Sequence, residues 1–174
     1  MRLKQEQFVP FMVVVAIITM AVIVFSSFNF NRKQHTRFRE NIAKSDSLNI
    51  MPMGIVGTED STRVTDYAGQ HVLLVFWASW SDKSTAMLDE IELLQAERDS
   101  LAVLAALVKD AEESLANGRR YPNFIYTDGA HLYNHLKVPG FPSYILFDEN
   151  SEPLTSNIGY EKGVGYDSLK VYLE

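Results

Sequence analysis

One uninterrupted apolar segment near the amino end constrains the fold of this chain more than any other feature. Residues 8–28 carry no charge and are almost wholly apolar. As a helix that rises about 1.5 Å per residue, they would span about 31 Å, which matches the hydrocarbon core of a bilayer. Ser26-Ser27-Phe28 is a poor match to a small-x-small signal-peptide cleavage site. The sequence therefore predicts an uncleaved transmembrane helix over Phe8–Phe28, after a short tail of residues 1–7.

Charge is divided unevenly along the chain. Residues 1–44 hold seven Lys/Arg and two Asp/Glu, whereas residues 45–174 hold nine and twenty, a net charge of −11. An acidic domain is repelled by phosphate backbones, so we predict no nucleic-acid partner. The polar segment 29–49 is interpreted as a helical extension or a basic juxtamembrane tether whose Lys and Arg side chains contact lipid headgroups.

The remaining residues, 50–174, have the pattern of one α/β domain. Continuous apolar runs predict buried strands, and a 3.6-residue apolar period predicts amphipathic helices. The predicted strands are His71–Trp77, Leu101–Val108, Phe124–Tyr126, Ser143–Phe147 and Pro153–Gly159, and the predicted helices are Ser84–Arg98, Asp110–Asn117 (ended by a Gly118 cap), Gly129–Leu136 and Val164–Leu173. A small hairpin is expected from Ile50–Val56 and Val64–Tyr67. This order predicts an α/β sandwich, with a central mixed sheet, helices on both faces and antiparallel final strands.

Two segments of this domain resemble the signatures of a known superfamily. Phe76–Ser84 has the sequence Phe-Trp-Ala-Ser-Trp-Ser-Asp-Lys-Ser and resembles the F-W-A-x-W-C-x-x-C signature of thioredoxins. Val138–Asp148 resembles the second signature, which contains a cis-proline. Together with the apolar segment and Val64–Gln70, these motifs resemble membrane-anchored thioredoxin-like proteins of the TlpA/ResA type over roughly Ile50–Glu174. The resemblance implies a thioredoxin-like fold with a cis peptide bond between Phe141 and Pro142.

The departures from that pattern concern the chemistry. Ser81 and Ser84 stand where the family has its two cysteines, and the chain contains no cysteine. Disulfide exchange needs a thiolate that attacks sulfur and leaves again, which a serine hydroxyl cannot provide. The positions where the family carries a buried, proton-handling carboxyl are Val75 and Met87 here. We therefore exclude dithiol oxidoreductase activity and predict no catalytic residue, with Ser81 and Ser84 as degenerate active-site positions.

Three polar side chains are candidates for other chemistry. Ser81 as a nucleophile would need a base and an oxyanion hole, and no histidine is expected nearby, so we interpret it as a helix cap. His131 and His135 lie four residues apart on a predicted helix, but two ligands do not make a zinc site. We accordingly expect no metal and no cofactor.

The resemblance also places Trp80, Ser81, Phe141 and Pro142 around the groove in which family members hold an extended peptide beside the cis-proline. This groove is either a partner-binding site, which exposed aromatics favour, or an inert remnant. We expect a redox-inactive, membrane-tethered domain that acts as an interaction or assembly subunit of a membrane protein complex, with an integral membrane protein as partner. The alternatives are an enzyme using non-thiol chemistry at Ser81, or a thiol-redox accessory that uses a partner's cysteines.

The charge distribution and the family resemblance imply opposite orientations of the domain in the membrane. Two basic residues, Arg2 and Lys4, precede the apolar segment, and a larger number follow it. The positive-inside rule would therefore place the domain in the cytoplasm. The resemblance implies an exported domain. Because the charge difference is small, we expect the exported, periplasmic side.

Overall fold

The computed structural model of the chain describes residues 5–98, 100–110, 114–117 and 121–173. They belong to two compact units, Met1–Arg37 and Phe38–Glu174. Helix α1 (Gln5–Lys44) begins in the first unit and ends in the second.

The first unit contains the apolar segment predicted to span a membrane. Every side chain from residue 8 to residue 28 is exposed. A helix that is apolar all round has no polar face for water and requires apolar surroundings. By length and composition, α1 is the one candidate membrane span in the described part of the chain.

The second unit is built on a mixed sheet of strands in the order β5-β4-β3-β6-β7. The pairs β3·β4 and β4·β5 are parallel, and β3·β6 and β6·β7 are antiparallel. The strand bounds are β3 His71–Trp77, β4 Leu101–Leu107, β5 Ile125–Asp128, β6 Ser143–Phe147 and β7 Pro153–Ile158. The mixed sheet and its antiparallel final strands confirm the predicted architecture, and β3 and β6 match their predicted bounds residue for residue.

Helices flank this sheet close to where the sequence predicts them. Their bounds are α2 Asp82–Glu97, α3 Ser114–Asn117, α4 Ala130–His135 and α5 Asp167–Leu173. A helix is predicted over Asp110–Asn117, and its described part is Ser114–Asn117. Residues 111–113 and the predicted Gly118 cap lie outside the described residues. α5 begins three residues later than predicted, after turns at 162–166.

The predicted hairpin is wrong in its second arm. Strands β1 (Met53–Gly54) and β2 (Ser61–Thr62) pair with each other. Val64–Tyr67 forms a 3₁₀ helix instead of a strand. The reason is local, because the Asp66 carboxylate accepts a hydrogen bond of 2.8 Å from the Arg63 main-chain N–H and closes a helical turn.

Two apolar clusters, one on each face of the sheet, form the core. Alternate residues of β3 point to opposite faces: Val72, Leu74 and Phe76 belong to one cluster, Leu73, Val75 and Trp77 to the other. α1 and α4 supply the first cluster, and α2 and α5 the second. The apolar run of β3 is continuous because both of its faces are buried.

The segment 29–49, interpreted as a helical extension or tether ahead of the domain, is corrected in its boundary. It is helical as far as Lys44, and three of its side chains belong to the core: Phe38, Ile42 and Leu48 are 1%, 7% and 2% exposed. The Asn41 side chain donates a 2.8 Å hydrogen bond to the Leu136 carbonyl at the end of α4. The compact domain thus begins at Phe38, ahead of the predicted boundary at residue 50.

Candidate functional site

The candidate binding site lies between the end of β3 and the start of α2. Ser81 has an extended backbone, and its Oγ accepts a 3.3 Å hydrogen bond from the Ser84 N–H, which confirms the predicted helix cap. Ser84 is fully buried, and its Oγ accepts a 3.4 Å hydrogen bond from the Ala78 N–H. Both hydroxyls therefore stabilise the turn between strand and helix, as small oxygens at a helix start do.

An aromatic pair flanks this helix start. The peptide bond between Phe141 and Pro142 is cis, as predicted. The Phe141 ring meets the Trp80 ring edge to face, with centroids 5.1 Å apart. Trp80 nevertheless remains 64% exposed, and its indole N–H donates a 3.3 Å hydrogen bond to the Lys109 carbonyl. The structure thus places a large, oriented aromatic surface in contact with solvent.

The main chain beside the cis-proline has polar groups that are available for hydrogen bonding. Within the described part of the chain, neither the N–H nor the C=O of Phe141 has a hydrogen-bond partner. The Pro142 carbonyl accepts from the Gly159 N–H at 2.8 Å, and the Ser143 hydroxyl donates to the Gly140 carbonyl at 2.6 Å. The residues around Phe141 are therefore held in place, while its own amide and carbonyl can pair with an added strand.

Sequence reasoning missed a second group at the end of β4. The Asp110 carboxylate accepts a 2.7 Å hydrogen bond from the Ser79 N–H and thereby orders the loop that carries Trp80. The sequence pattern predicts Asp110 only as the first residue of a helix, and this contact with Ser79 is a role that the pattern does not indicate. The available signal was its place directly after a buried strand, because carboxyl ends of neighbouring parallel strands meet at one edge.

Lys109, whose carbonyl accepts from the Trp80 indole, also contacts Tyr133 through its side chain. Lys109 has a left-handed backbone (φ 52°), and its ammonium lies 5.4 Å from the centre of the Tyr133 ring, within cation–π distance. Burial raises the pKa of the Tyr133 hydroxyl above its usual value. The Lys109 carbonyl that orients Trp80 thus comes from a restrained turn.

Among the described residues, no base is hydrogen-bonded to Ser81: its Oγ has no histidine, carboxylate or lysine as a partner. Val75 and Met87, where a proton-handling acid would be needed, are apolar and fully buried in the core. A hydroxyl without a base is a weak nucleophile at neutral pH.

His131 and His135 do share one face of α4, with ring centres 6.5 Å apart and nearly parallel. His135 Nε2 lies 3.5 Å from Ser45 Oγ. In the ranges that the structure describes, no three His, Cys, Asp or Glu side chains cluster in a way that could hold a metal. The histidine pair is therefore placed as a surface feature beside the α1 end.

Solved structures that resemble this chain include a thiol:disulfide interchange protein, StoA, a disulfide oxidoreductase and a peroxiredoxin. A putative thiol:disulfide interchange protein DsbE from Chlorobium tepidum is 21% identical, with a TM-score of 0.59 over 71% of this chain and 92% of that chain. StoA from Bacillus subtilis is 17% identical, with a TM-score of 0.55 over 71% and 96%. A secreted Mycobacterium tuberculosis disulfide oxidoreductase is 12% identical, with a TM-score of 0.56 over 72% and 96%.

These similarities define the class of the domain. The second unit has a thioredoxin-like fold, which agrees with its sheet order and its cis-proline. No protein-family model and no curated protein sequence matches the chain. Unlike the thiol:disulfide proteins it resembles, this chain has no cysteine, so its own side chains cannot perform disulfide exchange.

Proposed function

We propose that this chain is a redox-inactive, membrane-tethered thioredoxin-like module that acts as an interaction or assembly subunit of a membrane protein complex. The observation that carries the proposal is the exposed Trp80 ring, held edge to face against Phe141 beside the cis-proline. An ordered aromatic with most of its surface in solvent is the kind of anchor that dominates protein interfaces.

The main chain supports the same conclusion. An extended peptide can pair with the open amide and carbonyl of Phe141 as an added strand and can place a side chain against Trp80. The ring needs little ordering on binding, because the Lys109 carbonyl and Phe141 already hold it. Such preorganisation reduces the entropic cost of association.

The serine hydroxyls support binding rather than catalysis. Ser81 and Ser84 are used within the turn between β3 and α2, and the nearby core positions hold Val75 and Met87 in place of an acid. A site that keeps the peptide-facing surface but has neither thiol nor base can bind a partner without transforming it.

The apolar helix supplies the second contact. Residues 8–28 would hold the chain in a membrane and pack against a helix of an integral membrane partner, with the domain on the exported side. Within lipid no hydrophobic force acts between helices, so helix packing alone gives limited specificity. Tethering raises the effective concentration of the domain near membrane partners, so a modest groove contact suffices.

The experiment removes the two aromatic rings in the full chain. Trp80→Ala with Phe141→Ala should release the chain from the complex that co-purifies in mild detergent, because truncation of a hot spot of about 2 kcal/mol weakens binding about 30-fold. Leu93→Ala is the matched control, since Leu93 is similarly exposed (62%) but lies on the surface of α2. Quantitative mass spectrometry of co-purified proteins, with circular dichroism as a folding check, gives the readout. Wild-type stoichiometry for a folded double variant would mean that the groove is an inert remnant.

A further inference from the structure

The groove around Trp80, Ser81, Phe141 and Pro142, which we call the Trp80 groove, has two walls that come from distant parts of the chain. The loop after β3 and the start of α2 form one wall, and the segment before β6 forms the other. Residues 159–165, between β7 and α5, are hydrogen-bonded both to α2 and to the cis-proline. The contacts that hold these residues therefore connect the two walls.

The contact with the cis-proline is made by the first residue after β7. The Gly159 N–H donates a 2.8 Å hydrogen bond to the Pro142 carbonyl, one residue beyond the last β6–β7 pair, Ser143 with Ile158. Gly159 has a left-handed backbone (φ 83°), which lets the chain turn away from the sheet at this residue. Because the ladder has ended, the position of Gly159 depends on how the residues after it are held.

The contact with α2 is made through the half-buried Glu90 carboxylate. One of its oxygens accepts hydrogen bonds from the Tyr160 hydroxyl (2.8 Å) and the Gly163 N–H (2.9 Å), and the other accepts from the Gly165 N–H (2.8 Å). The bond to Glu90 raises the pKa of the Tyr160 hydroxyl above its usual value, so the tyrosine remains a donor. Hydrogen bonds to an ionised acceptor are stronger than neutral ones, so the carboxylate holds this segment firmly.

The arrangement of donors calls for a carboxylate at this position. Both oxygens of Glu90 accept hydrogen bonds, whereas an amide side chain has one acceptor oxygen and would turn its NH₂ group toward a main-chain N–H. The segment also lies very close to α2, because a Cβ atom at Gly165 would be 2.8 Å from the Met87 carbonyl oxygen. Glycine permits this approach, and Glu90 maintains it.

We propose that Glu90 is a positioning residue for the Trp80 groove. Its carboxylate holds residues 159–165 against α2, and Gly159 in turn fixes the main chain at the cis-proline. The open amide and carbonyl of Phe141, next to that proline, then meet an added strand in a fixed orientation, which reduces the entropic cost of pairing. The inference rests on the proposed function, because it concerns the geometry of the same groove.

The test uses the full chain in detergent micelles, labelled with fluorotryptophan. The chain has two tryptophans, so fluorine NMR gives one resonance for Trp80, which contacts Phe141, and one for the buried Trp77. Glu90→Gln should move the Trp80 resonance, because the Phe141 ring beside it shifts, and should leave the Trp77 resonance unchanged. Hydrogen exchange resolved to single amides should be at least about tenfold faster at Gly159, because the bonds that hold its segment are lost.

Glu97→Gln is the matched control. Glu97 also lies on α2 and also accepts a hydrogen bond from a tyrosine hydroxyl, that of Tyr166, but it is about two turns further along the helix. It should change neither measurement. Tyr160→Phe is a milder variant, which removes one donor and keeps the carboxylate, and it should move the Trp80 resonance in the same direction but less far than Glu90→Gln.

Two results would overturn the inference. If Glu90→Gln leaves both measurements unchanged, the β6–β7 ladder alone fixes the cis-proline. If Glu97→Gln changes them equally, Glu90 has no particular role in positioning the groove. Should Glu90→Gln not fold, Tyr160→Phe decides in the same way. These measurements need no partner, so failure of this inference is distinguished from failure of the proposed function, which the double alanine variant tests.

Discussion

A chain that begins at residue 50 should not fold stably, whereas a chain that begins at residue 29 should. The sequence pattern places the domain boundary at residue 50, but the structure has core side chains ahead of it. Phe38, Ile42 and Leu48 pack with Val72, Leu74 and their neighbours on one face of the sheet. Deletion of residues 29–49 therefore opens one face of the core.

The expected loss follows from burial. The three side chains are 1%, 7% and 2% exposed, so each is removed from nearly complete burial. Truncation of a buried Phe costs about 3–5 kcal/mol, and truncation of a buried Ile or Leu about 2–5 kcal/mol. Together they contribute at least about 7 kcal/mol, which is comparable with the whole free energy of unfolding of an ordinary domain, about 5–15 kcal/mol.

Urea unfolding, followed by circular dichroism and tryptophan fluorescence, measures the difference between residues 29–174 and residues 50–174. The longer chain should show a cooperative transition, and Phe38→Ala in it should lower the free energy of unfolding by about 3–5 kcal/mol. Leu93→Ala, at an exposed position on α2, serves as a control that changes little. Equal urea midpoints for the two chains would refute the argument and restore the boundary at residue 50.

Two smaller predictions concern the helix cap and a buried tyrosine. Ser81→Ala should lower the free energy of unfolding by about 1 kcal/mol, because it removes the cap of α2. Ser81→Asp can also cap α2 and should lower the free energy of unfolding by less. Equal losses for the two variants in urea unfolding would contradict the capping role. Burial and, secondarily, nearby Tyr172 raise the pKa of Tyr144 from 10.0 to about 12. As the pH rises, the Tyr144 hydroxyl loses its proton in the unfolded chain before it does so in the folded chain. The free energy of unfolding should therefore be unaffected below pH 10 and should fall as the pH rises toward 12, less steeply in Tyr144→Phe. Identical pH profiles for the wild-type chain and Tyr144→Phe would contradict this prediction.

The sequence by itself determined the strands that are buried on both faces. His71–Trp77 and Ser143–Phe147 are apolar throughout, or nearly so, and the structure has them with the same bounds. It also determined the cap at Ser81 and the absence of thiol chemistry, because each depends on the residue types at one position and on local geometry. The cis bond before Pro142 is implied by the family resemblance, and the structure confirms it.

Short segments were less predictable because their signals are weak. Phe38 and Ile42 lie four residues apart and share a helix face, but that face is short and surrounded by charge. Val64–Tyr67 has the residue types of a strand, yet the Asp66 side chain gives its backbone a helical turn instead. In both segments, contacts with residues elsewhere or with one polar group outweighed local propensity.

Only the tertiary structure decided which distant residues meet. The contact of Asp110 with Ser79 depends on the parallel pairing of β3 with β4. The resemblance implies that Phe141 and Trp80 share a groove, but only the structure gives their edge-to-face contact. Two cavities lie along β7 because the end of α1 and α5 pack on opposite faces of the sheet. Local sequence specifies which face of an element is apolar, whereas the partners of that face are selected by packing of the whole domain.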